Sequence, residues 1–93
     1  MSNGNYFQGK VVWLTGASSG IGKELSIQLS ELGAKLILSS RKEQVLIELC
    51  QNLPRKDEHL VLPLDLAKPD EFNGLMKMVE ARYGKIDLLI QNG

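Results

Sequence analysis

The stretch Thr15-Gly16-Ala17-Ser18-Ser19-Gly20-Ile21-Gly22 lies between a short apolar run, Val11-Val12-Trp13-Leu14, and a segment whose apolar residues have helical spacing. Its three glycines lack a Cβ atom, so the chain can turn sharply off a strand and a ligand can approach the backbone closely. Unpaired N–H groups at a helix N-terminus favour anions. The stretch therefore predicts a strand–turn–helix unit that binds a diphosphate, with its two serines adding hydroxyl donors.

The rest of the chain repeats this alternation of apolar runs and helical patterns. Continuous rather than alternating hydrophobicity predicts strands that are covered on both faces. Right-handed crossovers then give an α/β fold, a doubly wound parallel sheet with the order β-α-β-α-β-α-β. We predict strands at 11–14, 36–38, 60–62 and 86–90, and helices at 20–32, 42–53 and 69–83.

Each predicted helix has one apolar stripe that should face the sheet. Gly33 and Gly84 stand where glycine caps belong, and Pro54 should end the second helix. The three stripes are Ile21, Leu25, Leu29 and Leu32; Val45, Leu46, Leu49 and Leu53; and Phe72, Met76, Val79 and Tyr83.

The composition excludes several classes of function. With 93 residues, 43% of them hydrophobic, the chain suits one small globular unit, and its formal net charge of zero argues against nucleic-acid binding. The single cysteine, Cys50, is predicted to be a buried structural thiol. The lone His59 lies in a charged stretch and is predicted to be a solvated loop residue, so no metal site is expected.

The spacing of the glycine stretch also rules out a P-loop, which needs G-x-x-x-x-G-K-[ST]. Gly16 and Gly22-Lys23 are separated by one residue too many, and Glu24 stands where a hydroxyl residue would bind magnesium. The dinucleotide fingerprint G-x-G-x-x-G fails as well, because Leu25 replaces its last glycine. The pattern that fits is T-G-x-x-x-G-x-G.

This pattern resembles the cofactor motif of the classical short-chain dehydrogenase/reductase family, and two later segments resemble family motifs in the same order. Leu62-Pro63-Leu64-Asp65-Leu66 resembles the third-strand segment, and Ile86 to Gly93 resembles the fourth strand that leads into N-N-A-G. The resemblance implies the first half of a Rossmann fold in residues 10–93, preceded by a polar leader or tag remnant in 1–9. Gln91 and Gly93 depart from the motif, where asparagine and alanine are usual.

The resemblance also implies roles for particular residues. Asp65 and Leu66 would contact the adenine, and Asn92 would supply amide and backbone contacts that fix the fourth strand. The residues of the stretch would bind the pyrophosphate, namely Thr15, Gly16, Ser18, Ser19, Gly20, Ile21 and Gly22.

The end of the second strand favours NADP over NAD as the cofactor. An acidic residue about 20 residues beyond the glycine stretch would bind the ribose hydroxyls of NAD. Ser40 occupies that position, and Arg41 follows it. No carboxylate is there to repel a 2′-phosphate, and an arginine can bind one bidentately.

The resemblance implies hydride transfer between NADP(H) and a small carbonyl or alcohol substrate. The family's catalytic Y-x-x-x-K lies beyond the fourth strand, and the one letter match here, Tyr6 to Lys10, precedes the first strand. We therefore expect no catalytic residue in this chain, which would be the inactive amino-terminal portion of an NADP-dependent oxidoreductase. A noncatalytic nucleotide-binding or interaction fragment is the alternative, and a methyltransferase is disfavoured because its acidic residue after the second strand is missing.

The sequence says less about location and assembly. No apolar run is long enough to span a bilayer, and residues 1–9 lack the features of a signal peptide, so we expect a soluble, cytoplasmic chain. Association of the parent protein with the endoplasmic reticulum stays open, because some relatives carry an amino-terminal anchor. A homo-oligomer is equally compatible with the sequence.

Overall fold

The structure, a computed structural model, describes residues 6–65 and 67–92, the side chain of Pro69 excepted. Apolar runs form the strands and amphipathic segments form the helices that connect them. The strands are β1 (Val11–Thr15), β2 (Lys35–Ser39), β3 (Leu60–Val61) and β4 (Leu88–Gln91). The helices are α1 (Gly20–Glu31), α2 (Glu43–Gln51) and α3 (Pro69–Tyr83), with a short 3-10 helix at Lys56–Glu58.

The four strands form one parallel sheet in the order β3-β2-β1-β4. Trp13 of β1 is in register with Ile37 of β2 on one side and with Leu89 of β4 on the other. The chain runs from β1 outward to β3 and then crosses back to β4 on the far side of β1. The order and the parallel pairing confirm the predicted doubly wound sheet.

The sheet separates two apolar layers because successive side chains of a strand point to opposite faces. Val12 and Leu14 pack with α1 and α2, whereas Val11 and Trp13 pack with α3. Right-handed connections place α3 on the opposite face from α1 and α2. The crossover from β3 to β4 runs across the sheet in the opposite direction from the crossovers β1 to β2 and β2 to β3. All five residues of β1 are buried, so β1 is the centre of the described core.

Two of the three predicted helix stripes face the sheet. In α2, Leu46 and Leu49 are buried, as is Leu53 just beyond it. In α3, Val79 is fully buried and its stripe partners pack around the same cluster.

The middle of the stripe predicted for α1 is confirmed, since Leu29 is buried and Leu25 packs against the same apolar layer. The stripe was wrong at both ends, since Ile21 is 69% exposed and Leu32 is 42% exposed. The buried residues of this helix are Gly22, Ser26, Leu29 and Ser30. Small residues four apart let α1 lie close to the sheet. The buried hydroxyls still find acceptors, because Ser26 Oγ donates to the Gly22 carbonyl at 2.8 Å and Ser30 Oγ to that of Ile27 at 2.9 Å.

Glycine caps end α1 and α3 as predicted. Gly33 has φ +95° and donates to the Ser30 carbonyl at 3.0 Å, while the N–H of Ala34 reaches the Leu29 carbonyl at 3.1 Å. This pair of bonds is the Schellman arrangement, which requires a left-handed residue at the position of Gly33. Gly84 adopts φ +81° after α3, and its N–H donates to the Glu80 carbonyl at 2.8 Å.

The segment before β1 contacts the sheet at its amino end. Gly9 N donates to the Gly33 carbonyl at 3.0 Å, and Phe7 packs against the apolar layer on the α1 side. The assignment of 1–9 to a leader or tag remnant stays a prediction, and residues 1–5 lie outside the described part of the chain.

Cys50 is partly buried and its Sγ lies 3.7 Å from the Lys56 carbonyl oxygen. Burial raises the pKa of the Cys50 thiol above its ordinary value. A raised pKa lowers the thiolate fraction, which fits a structural rather than a reactive thiol.

The prediction of a solvated His59 was wrong, because the residue is only 5% exposed. Its Nδ1 accepts from the N–H of Leu36 at 3.0 Å, and its Nε2 lies 2.9 Å from the Pro54 carbonyl oxygen. The imidazole is therefore neutral, with its proton on Nε2. It supplies the acceptor for a β2 backbone group that no strand partner reaches, which explains why a residue in a charged stretch is buried.

Protonation of His59 should destabilise the fold. Burial lowers the pKa of His59 below its ordinary value of 6.5, so the unfolded chain takes up a proton at a higher pH than the folded one. The free energy of unfolding is therefore expected to fall as pH drops below about 6.5. Urea unfolding between pH 7.5 and pH 5.5 measures this slope.

His59 is the only histidine of the chain, so the slope in this interval is attributable to it. The His59→Gln variant should be less stable at pH 7.5 and should lose the pH dependence over the same interval. An unchanged slope in that variant would contradict the assignment.

Candidate functional site

A cavity of about 480 Å³ lies at the carboxyl ends of the strands. In a doubly wound sheet, ligands bind at this edge, next to the point where the strand order reverses. Here that point is between β1 and β4, and the volume is typical of small-molecule sites. The lining residues are Thr15, Gly16, Ser18, Ser39, Ser40, Arg41, Lys42, Leu64, Asp65, Ala67 and Asn92.

The structure brings together residues from all four predicted segments of the site. The predicted site residues in the cavity wall are Thr15, Gly16, Ser18, Ser40, Arg41, Asp65 and Asn92. Four others, namely Ser19, Gly20, Ile21 and Gly22, lie in the first turn of α1 or just before it and do not line the cavity. Leu66 lies outside the described residues.

The glycines of the stretch have different structural roles. Gly16 adopts φ +68°, and a Cβ atom there would overlap the carbonyl group of Asn92. A Cβ atom on Gly22 would overlap the Gly16 carbonyl oxygen. A Cβ atom on Gly20 would meet nothing within 4 Å. Packing therefore demands glycine at positions 16 and 22, whereas position 20 faces open space.

Hydrogen bonds from Asn92 hold the glycine stretch in shape. The Asn92 Nδ2 atom donates to Ser19 Oγ at 2.9 Å and to the Gly16 carbonyl at 3.2 Å. Ser19 Oγ in turn donates to that Gly16 carbonyl at 3.0 Å and accepts from Gly22 N at 3.0 Å, which caps α1. The Ser19 proton is thus used inside the loop, and its predicted role as a ligand donor remains a prediction.

The first turn of α1 still offers backbone donors. Gly22 N is taken by Ser19, and Lys23 N donates to the Ser19 carbonyl at 2.8 Å. Within the described part of the chain, no acceptor faces the N–H groups of Gly20 and Ile21. Such groups at a helix N-terminus favour an anion.

Cationic side chains form the wall at the end of β2. Arg41 and Lys42 are exposed, and neither forms an ion pair with a described residue. Ser40 Oγ accepts from Lys42 N at 3.0 Å, which fixes the turn that carries both. Glu43 begins α2 and does not line the cavity.

Asp65 is the one carboxylate among the lining residues. Its Oδ1 accepts from Ala67 N at 2.9 Å, which shapes the turn between β3 and α3. The Asp65 carboxylate is half-buried, and its second oxygen receives no hydrogen bond from a described residue. It can therefore accept from a ligand.

Four lining residues were not among the predicted site residues, namely Ser39, Lys42, Leu64 and Ala67. Trp13 Nε1 donates to Ser39 Oγ at 2.8 Å, and the Trp13 ring stacks on Phe72 with centroids 4.9 Å apart. A polar residue directly after the apolar run 36–38 was the available signal for Ser39. Its partner on β1 could not be read from the sequence.

The Tyr6–Lys10 letter match lies far from the cavity in the fold. Lys10 Nζ sits 4.9 Å from the centroid of the Tyr6 ring. Lys10 immediately precedes β1 and its carbonyl accepts from Lys35 N, so both residues lie at the amino end of the sheet. The cavity lies at the opposite end.

Comparison with known proteins assigns the family. The family described as short chain dehydrogenase matches residues 10–93. The chain is 49% identical over 89 residues to dehydrogenase/reductase SDR family member 7 of Mus musculus. The chain therefore belongs to the short-chain dehydrogenase family. The resemblance of its motifs to this particular member, evident in Val12–Thr15 and the two later segments, is confirmed.

Solved structures agree with the fold. A short chain dehydrogenase from Salmonella enterica serovar Typhi superposes with a TM-score of 0.88 at 26% identity, covering 100% of this chain and 40% of that one. A metagenomic short-chain oxidoreductase in complex with NADP gives a TM-score of 0.82 at 30% identity, covering 89% of this chain and 38% of that one.

The chain spans only part of its relatives. The match to the Mus musculus protein covers 89% of this chain but 26% of that protein. No helix in residues 6–65 and 67–92 is both long and apolar enough to cross a membrane.

Substitutions at two glycines should differ in their effect on stability. Gly22→Ala is expected to destabilise the fold by about 1–3 kcal/mol, because its methyl group overlaps the Gly16 backbone. Gly20→Ala should leave stability within about 0.5 kcal/mol, since its methyl group meets open space. Denaturant unfolding of both variants makes the comparison, and equal losses would refute it.

Proposed function

We propose that this chain holds the adenosine and pyrophosphate portion of NADP in an oxidoreductase. The observation that carries the proposal is a single cavity at the strand-order reversal. Its wall joins the glycine stretch after β1 to cationic side chains after β2 that form no ion pair with a described residue. A dinucleotide that carries a 2′-phosphate has anionic groups at two separate places, and this cavity offers a donor set near each of them.

The pyrophosphate would bind at the first turn of α1. Two backbone N–H groups there, those of Gly20 and Ile21, have no acceptor among the described residues. The open space beside Gly20 lets an anion approach the backbone closely. Thr15, Gly16 and Ser18 would border the same phosphates from the cavity wall.

The 2′-phosphate would bind beside Arg41 and Ser40. An arginine without a carboxylate partner keeps its guanidinium donors available for a phosphate. Glu43 lies off the cavity, so no acidic side chain after β2 repels the phosphate. The similarity to a solved short-chain oxidoreductase in complex with NADP supports the same choice of cofactor.

The adenine would lie towards the end of β3. Asp65 has an unused carboxylate oxygen that can accept from the exocyclic amino group of the base. Leu66 would complete this end of the site, as the family resemblance implies. Asn92 would act mainly by holding the glycine stretch, given its bonds to Ser19 and Gly16.

The bound cofactor would supply hydride to a carbonyl substrate or accept it from an alcohol. We place the groups that activate this substrate outside the 93 residues, because Tyr6–Lys10 lies at the wrong end of the sheet and Tyr83 is followed four residues on by Asp87. The chain alone would then bind the cofactor without catalysing its oxidation or reduction.

Arg41 supplies the test of cofactor choice. Calorimetric titration should show tighter binding of NADPH than of NADH to the chain. Arg41→Ala should weaken NADPH binding about 10- to 150-fold, because a hydrogen bond to a charged group contributes about 1.5–3 kcal/mol. It should leave NADH binding within about twofold. Equal affinities for the two nucleotides, or no binding of either, would overturn the proposal.

Lys77→Ala is the matched control, since Lys77 is an exposed cation on α3 that does not line the cavity. It removes the same charge and should leave both affinities unchanged.

The double substitution Ser40→Asp with Arg41→Ala should reverse the preference towards NADH, because it adds an acceptor for ribose hydroxyls and removes the cation.

A further inference from the structure

One buried hydroxyl in the cavity wall has no role in the site described above. Ser39 ends β2, is 0% exposed and lines the cavity. Its Oγ lies 2.8 Å from Trp13 Nε1. An indole N–H only donates, so the Ser39 oxygen is the acceptor in this bond and its own proton must point elsewhere.

No described residue accepts that proton. The carbonyl groups of Ser39 and Ser40 accept from Ala17 N at 3.1 Å and from Leu64 N at 3.0 Å, and neither forms a hydrogen bond with Ser39 Oγ. The Trp13 bond is the one hydrogen bond that the Ser39 side chain makes in the described part of the chain. A buried donor without an acceptor costs free energy, and a ligand atom in the cavity would remove that cost.

Trp13 fixes which way the hydroxyl can turn. Its ring is fully buried and stacks on Phe72 of α3 at an interplanar angle of 9°. A ring held on one face by Phe72 and at its N–H by Ser39 cannot swing away. The Ser39 oxygen therefore keeps its acceptor side towards the indole, and its proton is free for a partner on another side.

The surroundings of Ser39 indicate a neutral acceptor. Leu64, which shares this part of the wall, is 4% exposed and apolar. A phosphate oxygen brought against a buried apolar wall would lose its hydration, whereas the exposed Arg41 and Lys42 offer phosphates a better place. The ring nitrogens of a purine meet both requirements, because they are neutral acceptors and the flat ring that carries them can pack against an apolar wall.

We infer that the Ser39 hydroxyl donates a hydrogen bond to a ring nitrogen of the bound adenine, with Trp13 as the positioning residue that orients it. This inference rests on the proposed function, since it names a further contact in the same nucleotide site. Asp65 would contact the exocyclic amino group and Ser39 the ring. The pair would thus distinguish adenine from bases with a different arrangement of acceptors.

The experiment measures binding of adenosine 2′,5′-bisphosphate and of its 1-, 3- and 7-deaza analogues, each of which lacks one ring nitrogen. Ser39→Ala should weaken the parent compound about 3- to 10-fold, the range for a neutral hydrogen bond. One of the analogues should bind the unmodified chain with a loss of the same size. That analogue should bind Ser39→Ala and the unmodified chain equally.

The control is Ser30→Ala, which removes the hydroxyl of another fully buried serine, in the last turn of α1 and away from the cavity. It should leave all four affinities unchanged. Should Ser39→Ala fail to fold, Ser39→Cys keeps the volume with a weak donor and should show a loss of similar size.

Trp13→Phe keeps a ring against Phe72 and removes the N–H. It should reduce the coupling between Ser39 and the missing ring nitrogen without abolishing it, and coupling at full strength would overturn the role of Trp13. A uniform loss across the parent and all three analogues, or no loss in Ser39→Ala, would overturn the inference while the proposed function stands. Failure of the unmodified chain to bind the parent compound would overturn both.

Discussion

The close contact between the backbone of Gly16 and the carbonyl group of Asn92 joins the end of β1 to the end of β4. Their positions are 76 residues apart, and the contact is possible only because Gly16 has no side chain and adopts φ +68°. Asn92 then fixes Ser19, and Ser19 caps α1. The start of α1 and the floor of the cavity therefore depend on the arrival of β4, which is the last described strand of the sheet.

The same constraint explains why α1 lies so close to the sheet. Gly22 touches the backbone of the glycine stretch, and the small residues Ser26 and Ser30 continue the contact along the helix. The apolar residues Ile21 and Leu32 are consequently left on the outer side of the helix. The small residues Gly22, Ser26 and Ser30 on its inner face let α1 pack closely. By contrast, α2 and α3 pack mainly through large apolar side chains.

These contrasts indicate how far the sequence could predict the structure. Continuous apolar runs predicted the strands, and the requirement for right-handed crossovers predicted a doubly wound parallel sheet. The periodicity of apolar residues predicted the buried faces of α2 and α3. It was right only for Leu25 and Leu29 of α1, because periodicity does not register contacts made through glycine and serine. The burial of His59 was missed because its partner, the Leu36 N–H, is 23 residues away in the chain.

The site residues also fall into those that the sequence predicts and those that only the structure shows. Arg41, Ser40 and Asp65 could be placed in one cavity from the sequence, since parallel strands bring their carboxyl ends to one edge. Ser39 and the bonds made by Asn92 could not, because they depend on partners 26 and 73 residues distant. Residues that follow a strand directly were predictable, whereas side-chain contacts between strands needed the three-dimensional structure.

The parallel arrangement of the strands also has an electrical consequence. Each of the helices α1, α2 and α3 starts just after a strand ends, so the positive ends of three helix dipoles converge on one edge of a chain whose formal net charge is zero. Such a charge distribution attracts a polyanion from several ångströms away without making the protein basic, and salt screens the attraction over about 10 Å at 0.1 M ionic strength. The association rate of a polyanionic ligand would then depend on ionic strength through the backbone as much as through the side chains.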